Sequence, residues 1–243
     1  MEKRVIVILV LFFSMCVVSP AFAEVSFKND IDILDKSVNL TIHEDYTGTD
    51  ARSFREELDL DGSGSVEADE VEEFRTGFLA NRSLQFLGYV EIDGNETSVD
   101  LVSVDLQMEG AEGVVDNSTL YVRTSIDYGV GTLLSSDNHT IWVIGHPLIE
   151  SVRLSLPEGV DVMSYDGIEN ASQATVGGRV VLEGSSGVRS FMVEDRPTFE
   201  YAMFIEFSKE PFYRKSFFLP LLVLVELVLA LSGLYIIKKN KIK

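Results

Sequence analysis

The stretch LYVRTSIDY, residues 120–128, alternates apolar and polar side chains, so that Leu120, Val122, Ile126 and Tyr128 share one side. Successive side chains of a β-strand point to opposite faces of its sheet. The pattern therefore predicts a strand that buries one face and exposes the other. Such strands become stable when their apolar faces pack together, as in two sheets placed face to face.

Comparable short segments occupy most of the chain on both sides of this stretch. Gly, Asn or Pro residues separate them, and Asp93-Gly94 is a typical turn pair. Short strands at this spacing are typical of an antiparallel sandwich or a related β-fold, which we expect to occupy residues 84–208. Further strands are predicted at residues 38–43, 86–92, 99–108, 140–144, 152–156, 179–183, 190–193 and 199–207.

The end of this region gives two sharper expectations. Residues 184–187, GSSG, predict a hairpin turn between two strands. Along residues 199–207 every second residue is apolar, which predicts one continuous core-facing surface. That surface consists of Phe199, Tyr201, Met203, Ile205 and Phe207.

Charge and hydropathy are held in different parts of the 243-residue chain, which has a net charge of −19 and a mean hydropathy of +0.16. Apolar runs lie at both ends, and the segment between them, residues 24–215, carries 37 acidic and 14 basic side chains. Its net charge of −23 repels phosphate backbones, so we do not expect it to bind nucleic acid. Cations and basic partners are the natural ligands of such a surface.

The N-terminal run has the organisation of a secretory signal peptide, residues 1–23. Two basic residues precede an apolar core at residues 5–18, and the sequence AFA at 21–23 fits the small-x-small cleavage pattern. The single cysteine, Cys16, lies in that core, so the processed protein would contain no thiol for disulfides or metal ligation.

The C-terminal run, residues 217–237, predicts a transmembrane helix. Its 21 residues would span about 31 Å, close to the ~30 Å hydrocarbon layer of a bilayer. Four lysines follow in residues 238–243, which predicts a cytoplasmic tail and a single-pass cell-membrane protein with residues 24–215 outside. Glu226 lies near the middle of the run, where a carboxylate is costly, so it either contacts another membrane protein or is simply tolerated.

Six of the seven asparagines in residues 24–215 begin an Asn-x-Ser/Thr triplet, and only Asn29 does not. Chance would give about one triplet among seven asparagines, so their frequency indicates a compartment with N-glycosylation and surface positions for the six. The alternative is a series of Asx- and Ser/Thr-type turns. The predicted glycosylation sites are Asn39, Asn81, Asn95, Asn117, Asn138 and Asn170.

The sharpest chemical signal is DLDGSGSVEADE, residues 59–70, which has the spacing of a twelve-residue calcium loop. Ca²⁺ takes about six to eight oxygen ligands, which a short oxygen-rich loop can supply. Gly64 at position 6 permits the sharp turn, and Glu70 at position 12 would close the site as a bidentate carboxylate, which favours Ca²⁺ over the smaller Mg²⁺. The predicted ligands are the side chains of Asp59, Asp61, Ser63, Glu67 and Glu70 and the backbone carbonyl of Ser65.

Helical periodicity on both sides of the loop completes a helix–loop–helix pattern over residues 49–80. Together, loop and flanks resemble the EF-hand superfamily over roughly 30 residues. The resemblance implies a calcium ion as cofactor and the six loop residues as its ligands. EF-hands normally pair through position 8, here Val66, but the sequence contains no second loop. We therefore expect the unit either to pack on the β-rich domain or to pair with another copy, with the low affinity of extracellular modules.

No pattern typical of an enzyme accompanies this loop. His43, His139 and His146 lack metal-ligand spacing and are expected at surface or turn positions. The acid pairs at residues 56–57 and 72–73 are expected on solvated helix faces. The predicted function is that of a calcium-binding cell-surface protein, in which the ion orders the loop and stabilises or regulates the β-rich domain. Two alternatives stay open: an accessory or sensor subunit of a membrane transporter or complex, or a calcium-dependent adhesion or envelope component that self-associates.

Overall fold

A computed structural model describes residues 25–95, 98–209 and 218–240, with side chains up to residue 229 in the last segment. The predicted signal peptide, residues 1–23, and residues 241–243 of the predicted tail lie outside the described residues. The helices are α1 (Gly48–Leu58), α2 (Ala68–Arg82), α3 (Phe218–Asn240) and a 3₁₀ helix (Ser83–Tyr89). The strands are β1 (Val25–Ile33), β2 (Ser37–Tyr46), β3 (Ser65–Val66), β4 (Val90–Ile92), β5 (Val99–Glu109), β6 (Gly113–Val114), β7 (Leu120–Val130), β8 (Asn138–Ile144), β9 (Ile149–Ser155), β10 (Val160–Asp166), β11 (Ile168–Val176), β12 (Arg179–Ser186), β13 (Val188–Val193) and β14 (Arg196–Lys209).

Two sheets form the body of the domain. The seven-stranded sheet has the order β11-β12-β9-β1-β2-β7-β5. The five-stranded sheet has the order β10-β14-β8-β4, and β13 pairs with the first half of β14, residues 196–201. Neighbouring strands run antiparallel except β1 and β9, which run parallel. The predicted mainly β class with antiparallel sheets is therefore confirmed.

The two sheets enclose the larger of two apolar cores. Strand β7 shows the cause, because its buried residues alternate with less buried ones along its whole length. Ile126 and Tyr128 are fully buried, and across the core they face a layer that includes Ile141 and Ile205. The Tyr128 hydroxyl donates a hydrogen bond of 2.6 Å to the carbonyl of Phe86. A buried hydroxyl needs such a partner, and this one holds the 3₁₀ helix against the sheet.

A second core lies beside the first, under the helix–loop–helix unit (residues 48–82). Leu120 and Val122 point to the same side of β7 as its later buried residues, but they pack with residues of α1 and of the loop, including Leu58 and Val66. The unit and the five-stranded sheet therefore cover the same face of the large sheet side by side. Aromatic rings link the two cores, with centroid distances of 5.7, 6.5 and 6.3 Å along the series Phe54, Phe74, Phe78 and Phe86.

Two strand predictions are wrong near the unit and at the end of the domain. Residues 86–92 begin as the 3₁₀ helix, and only Val90–Ile92 is a strand. In β14, Met203 is fully buried, but Phe199 is 67% exposed and Tyr201 is 43% exposed. The first half of β14 pairs with the edge strand β13 and contributes nothing to the two-sheet core, so alternation there does not lead to burial.

Residues 184–187 do not form the predicted hairpin turn. Strand β12 pairs with β9 and β11 in the large sheet, whereas β13 pairs with β14 in the small one. The chain therefore passes from one sheet to the other at Gly187. A Cβ at Gly184 would lie 2.6 Å from the backbone carbonyl oxygen of Glu169, so glycine is needed there for the close approach to β11, whereas a Cβ at Gly187 would meet only the side chain of Glu169.

The C-terminal helix α3 contains most of the predicted membrane span. Its described side chains are mostly apolar and exposed, and Glu226 is exposed among them. Within the described part of the chain, no helix combines the length and the apolarity needed to cross a membrane. The transmembrane span at residues 217–237 stays a prediction from sequence.

Candidate metal site

The loop at residues 59–70 joins α1 to α2 through two glycines with positive φ. Gly62 has a φ of +70° and Gly64 a φ of +81°, a left-handed conformation that side chains with a Cβ rarely adopt. No atom lies within 4 Å of a Cβ built at either position, so the backbone conformation alone demands glycine there. The sharp turn predicted at position 6 is present.

The aspartates of the loop fold it inward by binding its own backbone. The two carboxylate oxygens of Asp59 accept hydrogen bonds from the N–H groups of Ser63 (3.0 Å) and Gly64 (2.8 Å). Asp61 Oδ1 also accepts from the Ser63 N–H, at 2.8 Å, and this bond holds the pKa of Asp61 below its usual value. Both carboxylates are thereby oriented toward the inside of the turn.

Glu70 closes the loop from the first turn of α2. Its Oε1 accepts hydrogen bonds from the N–H groups of Leu60 (2.7 Å) and Asp61 (3.2 Å), and its Oε2 accepts one from Glu67 N–H at 2.9 Å. The last bond is half of a capping box at the start of the helix. Glu70 is only 7% exposed, so both of its oxygens are held in fixed positions at the centre of the loop.

Three carboxylates converge where the metal was predicted. Ligand oxygens of Asp59, Asp61 and Glu70 lie within 4.8 Å of one another. Across the described residues, no lysine or arginine lies within 4.0 Å of these carboxylates or of Glu67. The negative charge of Asp61, then desolvation, and then the charges of Glu70, Asp69 and Asp59 raise the pKa of Glu67. The arrangement is an all-oxygen, anionic set, which fits a hard divalent cation.

The remaining predicted ligands are placed less uniformly. Ser63 Oγ donates a hydrogen bond of 2.9 Å to the carbonyl oxygen of Ser65, which brings both residues to the inner side of the loop. Glu67 is exposed and does not belong to the cluster of three carboxylates. The structure therefore brings together the carboxylates of three predicted ligands, links Ser63 and Ser65 to them by hydrogen bonds, and leaves Glu67 outside the cluster.

The loop is joined to the rest of the domain at position 8. Val66 and Ser65 form β3, which pairs antiparallel with β6, so that Val66 lies opposite Gly113 and Ser65 opposite Val114. The N–H of Val115 adds a hydrogen bond of 3.1 Å to the carbonyl of Gly64. The unit was expected either to pack on the β-rich domain or to pair with another copy. In the structure, position 8 pairs within the chain, with β6 in the segment between β5 and β7.

Arg55 is the residue of this region that sequence reasoning missed. It lies on α1, is 2% exposed, and spreads its guanidinium over the segment that carries β6. Its nitrogens donate to the carbonyls of Gly110 (2.5 Å), Ser118 (2.7 Å), Asp116 (3.2 Å) and Thr119 (3.4 Å). The sequence places Arg55 on the same helix face as Ala51 and Leu58, which is a signal for burial, but its carbonyl partners are distant in the chain and have no local signal.

The other predicted residues lie as follows. All six sequon asparagines are on the surface, Asn39 half-buried and the other five exposed, whereas Asn29, which has no sequon, is buried. The acid pairs at residues 56–57 and 72–73 are exposed as expected. The surface prediction is wrong for His139, which is 7% exposed because its ring packs against Phe207, with Nδ1 2.9 Å from Asp93 Oδ2.

Comparison with known proteins gives no family for this chain. No family model matches it, and no curated protein matches it significantly. Any function must therefore be argued from the geometry of its own residues.

Proposed function

We propose that the protein binds one Ca²⁺ ion in the loop at residues 59–70. The observation that carries the proposal is the convergence of Asp59, Asp61 and Glu70 within 4.8 Å, with no cation of the described chain beside them. Like charges held this close repel one another, and a divalent cation would remove that repulsion. Ser63 Oγ and the Ser65 carbonyl add neutral oxygens of the kind that calcium loops use.

The choice of Ca²⁺ over Mg²⁺ rests on Glu70. Both of its oxygens are oriented toward the loop by backbone N–H groups, which supports bidentate ligation. A bidentate carboxylate suits Ca²⁺, because Mg²⁺ demands a smaller octahedral shell and retains its waters. The arrangement also supports the EF-hand resemblance, although its position 8 is paired within the chain.

The consequence that we propose for the ion is stabilisation of the domain. The loop is tied to the segment between β5 and β7 through β3 and β6, and Arg55 ties the preceding helix to the same segment. An ion that fixes the loop would therefore also hold these connections. Binding to the folded state alone stabilises it by RT ln(1 + [Ca²⁺]/Kd), which is about 2.7 kcal/mol when the ion is at 100 times Kd.

We further propose that the domain lies outside the cell, anchored by one membrane span at residues 217–237. The signal-like residues 1–23 and the apolar run support this assignment from sequence. The surface positions of the six sequon asparagines support glycosylation, because a glycan cannot attach to a buried side chain. The exposed apolar side chains of α3 are also what a lipid-facing helix requires.

The calcium proposal is tested by titrating the full chain with Ca²⁺ in a calorimeter, using Asp61→Asn and Asp69→Asn. Asparagine keeps the carbonyl oxygen that accepts from Ser63 N–H, so Asp61→Asn removes a ligand charge without removing the turn bond. Asp69→Asn makes the same charge change one residue from Glu70 at an exposed position outside the cluster.

We expect one site in the wild type, a loss of affinity of at least about tenfold in Asp61→Asn, and a change of less than about threefold in Asp69→Asn. Mg²⁺ should bind more weakly than Ca²⁺. Absence of binding up to millimolar Ca²⁺, or equal losses in the two variants, would contradict the proposal.

A further inference from the structure

A cavity of about 430 Å³ lies at the seam between the helix–loop–helix unit and the five-stranded sheet. Its floor is the inner face of β1 and β2, where Phe27, Asn29 and Ile42 line it. The C-terminus of α2 and the 3₁₀ helix form one wall, and the end of β8 with the start of β9 forms the other. Because the unit and the small sheet cover the large sheet side by side, the cavity is the part of that face that neither covers.

The floor of the cavity contains a polar group without a partner. Asn29 is 4% exposed, and its Oδ1 is buried and accepts no hydrogen bond from the described residues. A buried amide that lacks a partner costs free energy, and native structures rarely retain one without a reason. Rotation about χ2 lets this amide present either its oxygen or its NH₂ group to the cavity.

Charge is confined to the rim. Arg82, at the end of α2, lines the cavity and is exposed, and among the described residues it forms no ion pair, only a stacking contact 5.5 Å from the ring centroid of Phe78. Glu44, on the other side, has Oε2 occupied by the hydroxyl of Tyr46 at 2.6 Å. Glu44 keeps its charge and its second carboxylate oxygen, and His146 also lines the cavity, so Arg82 is the permanently cationic group among the lining residues.

We propose that this cavity binds a small amphipathic carboxylate. Its apolar body would pack against Ile42, Ile144 and Ile149, and a hydroxyl or amide on that body would bind the side chain of Asn29. Its carboxylate would face Arg82. The volume fits a ligand of this size, since pockets for small molecules start at about 300 Å³. The proposal does not depend on calcium binding.

Three probes separate the two polar contacts. N-acetyl-leucine has an apolar body, an amide and a carboxylate; 4-methylpentanoate lacks the amide; N-acetyl-leucinamide lacks the carboxylate. Binding is followed through the labelled isoleucine methyl groups of the full chain in lipid nanodiscs, without glycans, so that neither detergent nor a sugar at Asn81 obstructs the cavity. The methyls of Ile42, Ile144 and Ile149 line the cavity, and that of Ile205, buried in the two-sheet core, serves as the internal reference.

We expect N-acetyl-leucine to shift the three cavity methyls and not Ile205. It should bind at least about fivefold more tightly than either other probe. Asn29→Leu should abolish the preference over 4-methylpentanoate and leave the domain at least as stable, because it replaces an unpartnered amide with an apolar group. Arg82→Gln should abolish the preference over N-acetyl-leucinamide, whereas Arg196→Gln, at an exposed arginine on β14, should keep it.

Four outcomes would overturn the proposal. The first is no methyl shift up to about 20 mM N-acetyl-leucine. The second is that Asn29→Leu and Arg82→Gln both keep the wild-type preference for N-acetyl-leucine over the other two probes. The third is a marked loss of stability in Asn29→Leu and in Asn29→Ala, which would show that a water already satisfies the amide. The fourth is an equal shift at Ile205. Repeating the titration with a calcium chelator should change none of the expected results, so failure here and failure of the calcium site are distinguishable.

Discussion

Arg55 fixes the segment between β5 and β7 to α1 by four carbonyl contacts, and its side chain is almost fully buried. A buried guanidinium stabilises a structure only when its donors are satisfied, and here backbone oxygens satisfy them. We expect Arg55→Met to lower the free energy of unfolding by about 3 kcal/mol or more, because several carbonyls lose their donor. Urea unfolding of the full chain measures this change.

The matched control for that variant is Arg52→Met, one turn earlier on α1. Arg52 is 57% exposed, and its one ion pair within the described part of the chain is with Glu56, also on the surface. Its replacement should change the free energy of unfolding by less than about 0.5 kcal/mol. Equal effects of the two substitutions would mean that the carbonyl contacts of Arg55 contribute little.

Asp105 on β5 and Arg75 on α2 form a second residue-scale link, at 2.6 Å. The hydrogen bond from Arg75 holds the pKa of Asp105 below its usual value. A depressed carboxyl pKa stabilises the fold above the ordinary pKa of aspartate, and that contribution is lost as the pH falls through the lower, folded-state value. In a carbon-13 titration of the side-chain carboxyl, Arg75→Gln should move the midpoint of Asp105 upward. A midpoint that stays in place would show that Arg75 is not the cause.

Single residues also show what the sequence can reveal. The calcium-loop spacing predicted the turn at Gly64 and the clustering of Asp59, Asp61 and Glu70, because both depend on spacing within twelve residues. Arg55 and Asn29 could not be predicted, since their environment depends on β6 and on β8, which lie 55 or more residues away in the chain. The one clue for Asn29 is that it alone among the seven asparagines of residues 24–215 has no sequon.

Among the elements, the short β3–β6 ladder is the direct connection between the candidate metal loop and the domain. Gly113 in β6 has a φ of +106° with no atom within 4 Å of a built Cβ, so only the backbone conformation opposes a side chain there. We expect Gly113→Ala to cost about 1 kcal/mol and to weaken Ca²⁺ binding, although it removes no ligand. Calorimetric titration and urea unfolding together test both effects.

The control at the scale of elements is Gly131→Ala. Gly131 is exposed, has an equally open environment and has no positive φ, so alanine should be neutral or slightly stabilising there. Its Ca²⁺ affinity should equal that of the wild type. If Gly113→Ala lowers the free energy of unfolding but leaves the Ca²⁺ affinity unchanged, the β3–β6 ladder is not coupled to the metal loop.

Elements were predictable from sequence where burial follows a regular period. β2, β5, β7 and β14 were found because alternation marks them, although their ends differ by a few residues. β1, β10 and β11 were missed: β1 contains three acidic or basic side chains in nine residues, and β11 is an edge strand that exposes most of its residues on both faces. Which sheet a strand joins, as at Gly187, depends on contacts across the whole chain and leaves no local signal.

At the scale of the whole molecule, two layers share one face of the seven-stranded sheet, and the candidate metal loop lies in one of them. A bound ion should therefore suppress local opening of the loop and of the β3–β6 ladder. At the far edge of the large sheet it should slow only the exchange that requires global unfolding. The N–H of Val115, bonded to Gly64, is the reporter on the near side, and strands β11 and β12 are the reporters at the far edge.

Hydrogen exchange of the full chain, with and without Ca²⁺, tests this gradient. Under conditions where amides exchange by local opening, Ca²⁺ should slow exchange in residues 59–70 and at Val115 by about tenfold or more and leave β11 and β12 within about twofold. The Asp61→Asn variant should lose the difference, because it lacks a ligand but keeps the fold. Slowing of equal size in β11 would instead mean that the ion acts only on global unfolding, and slowing confined to the loop would mean that the β3–β6 ladder opens independently of the site.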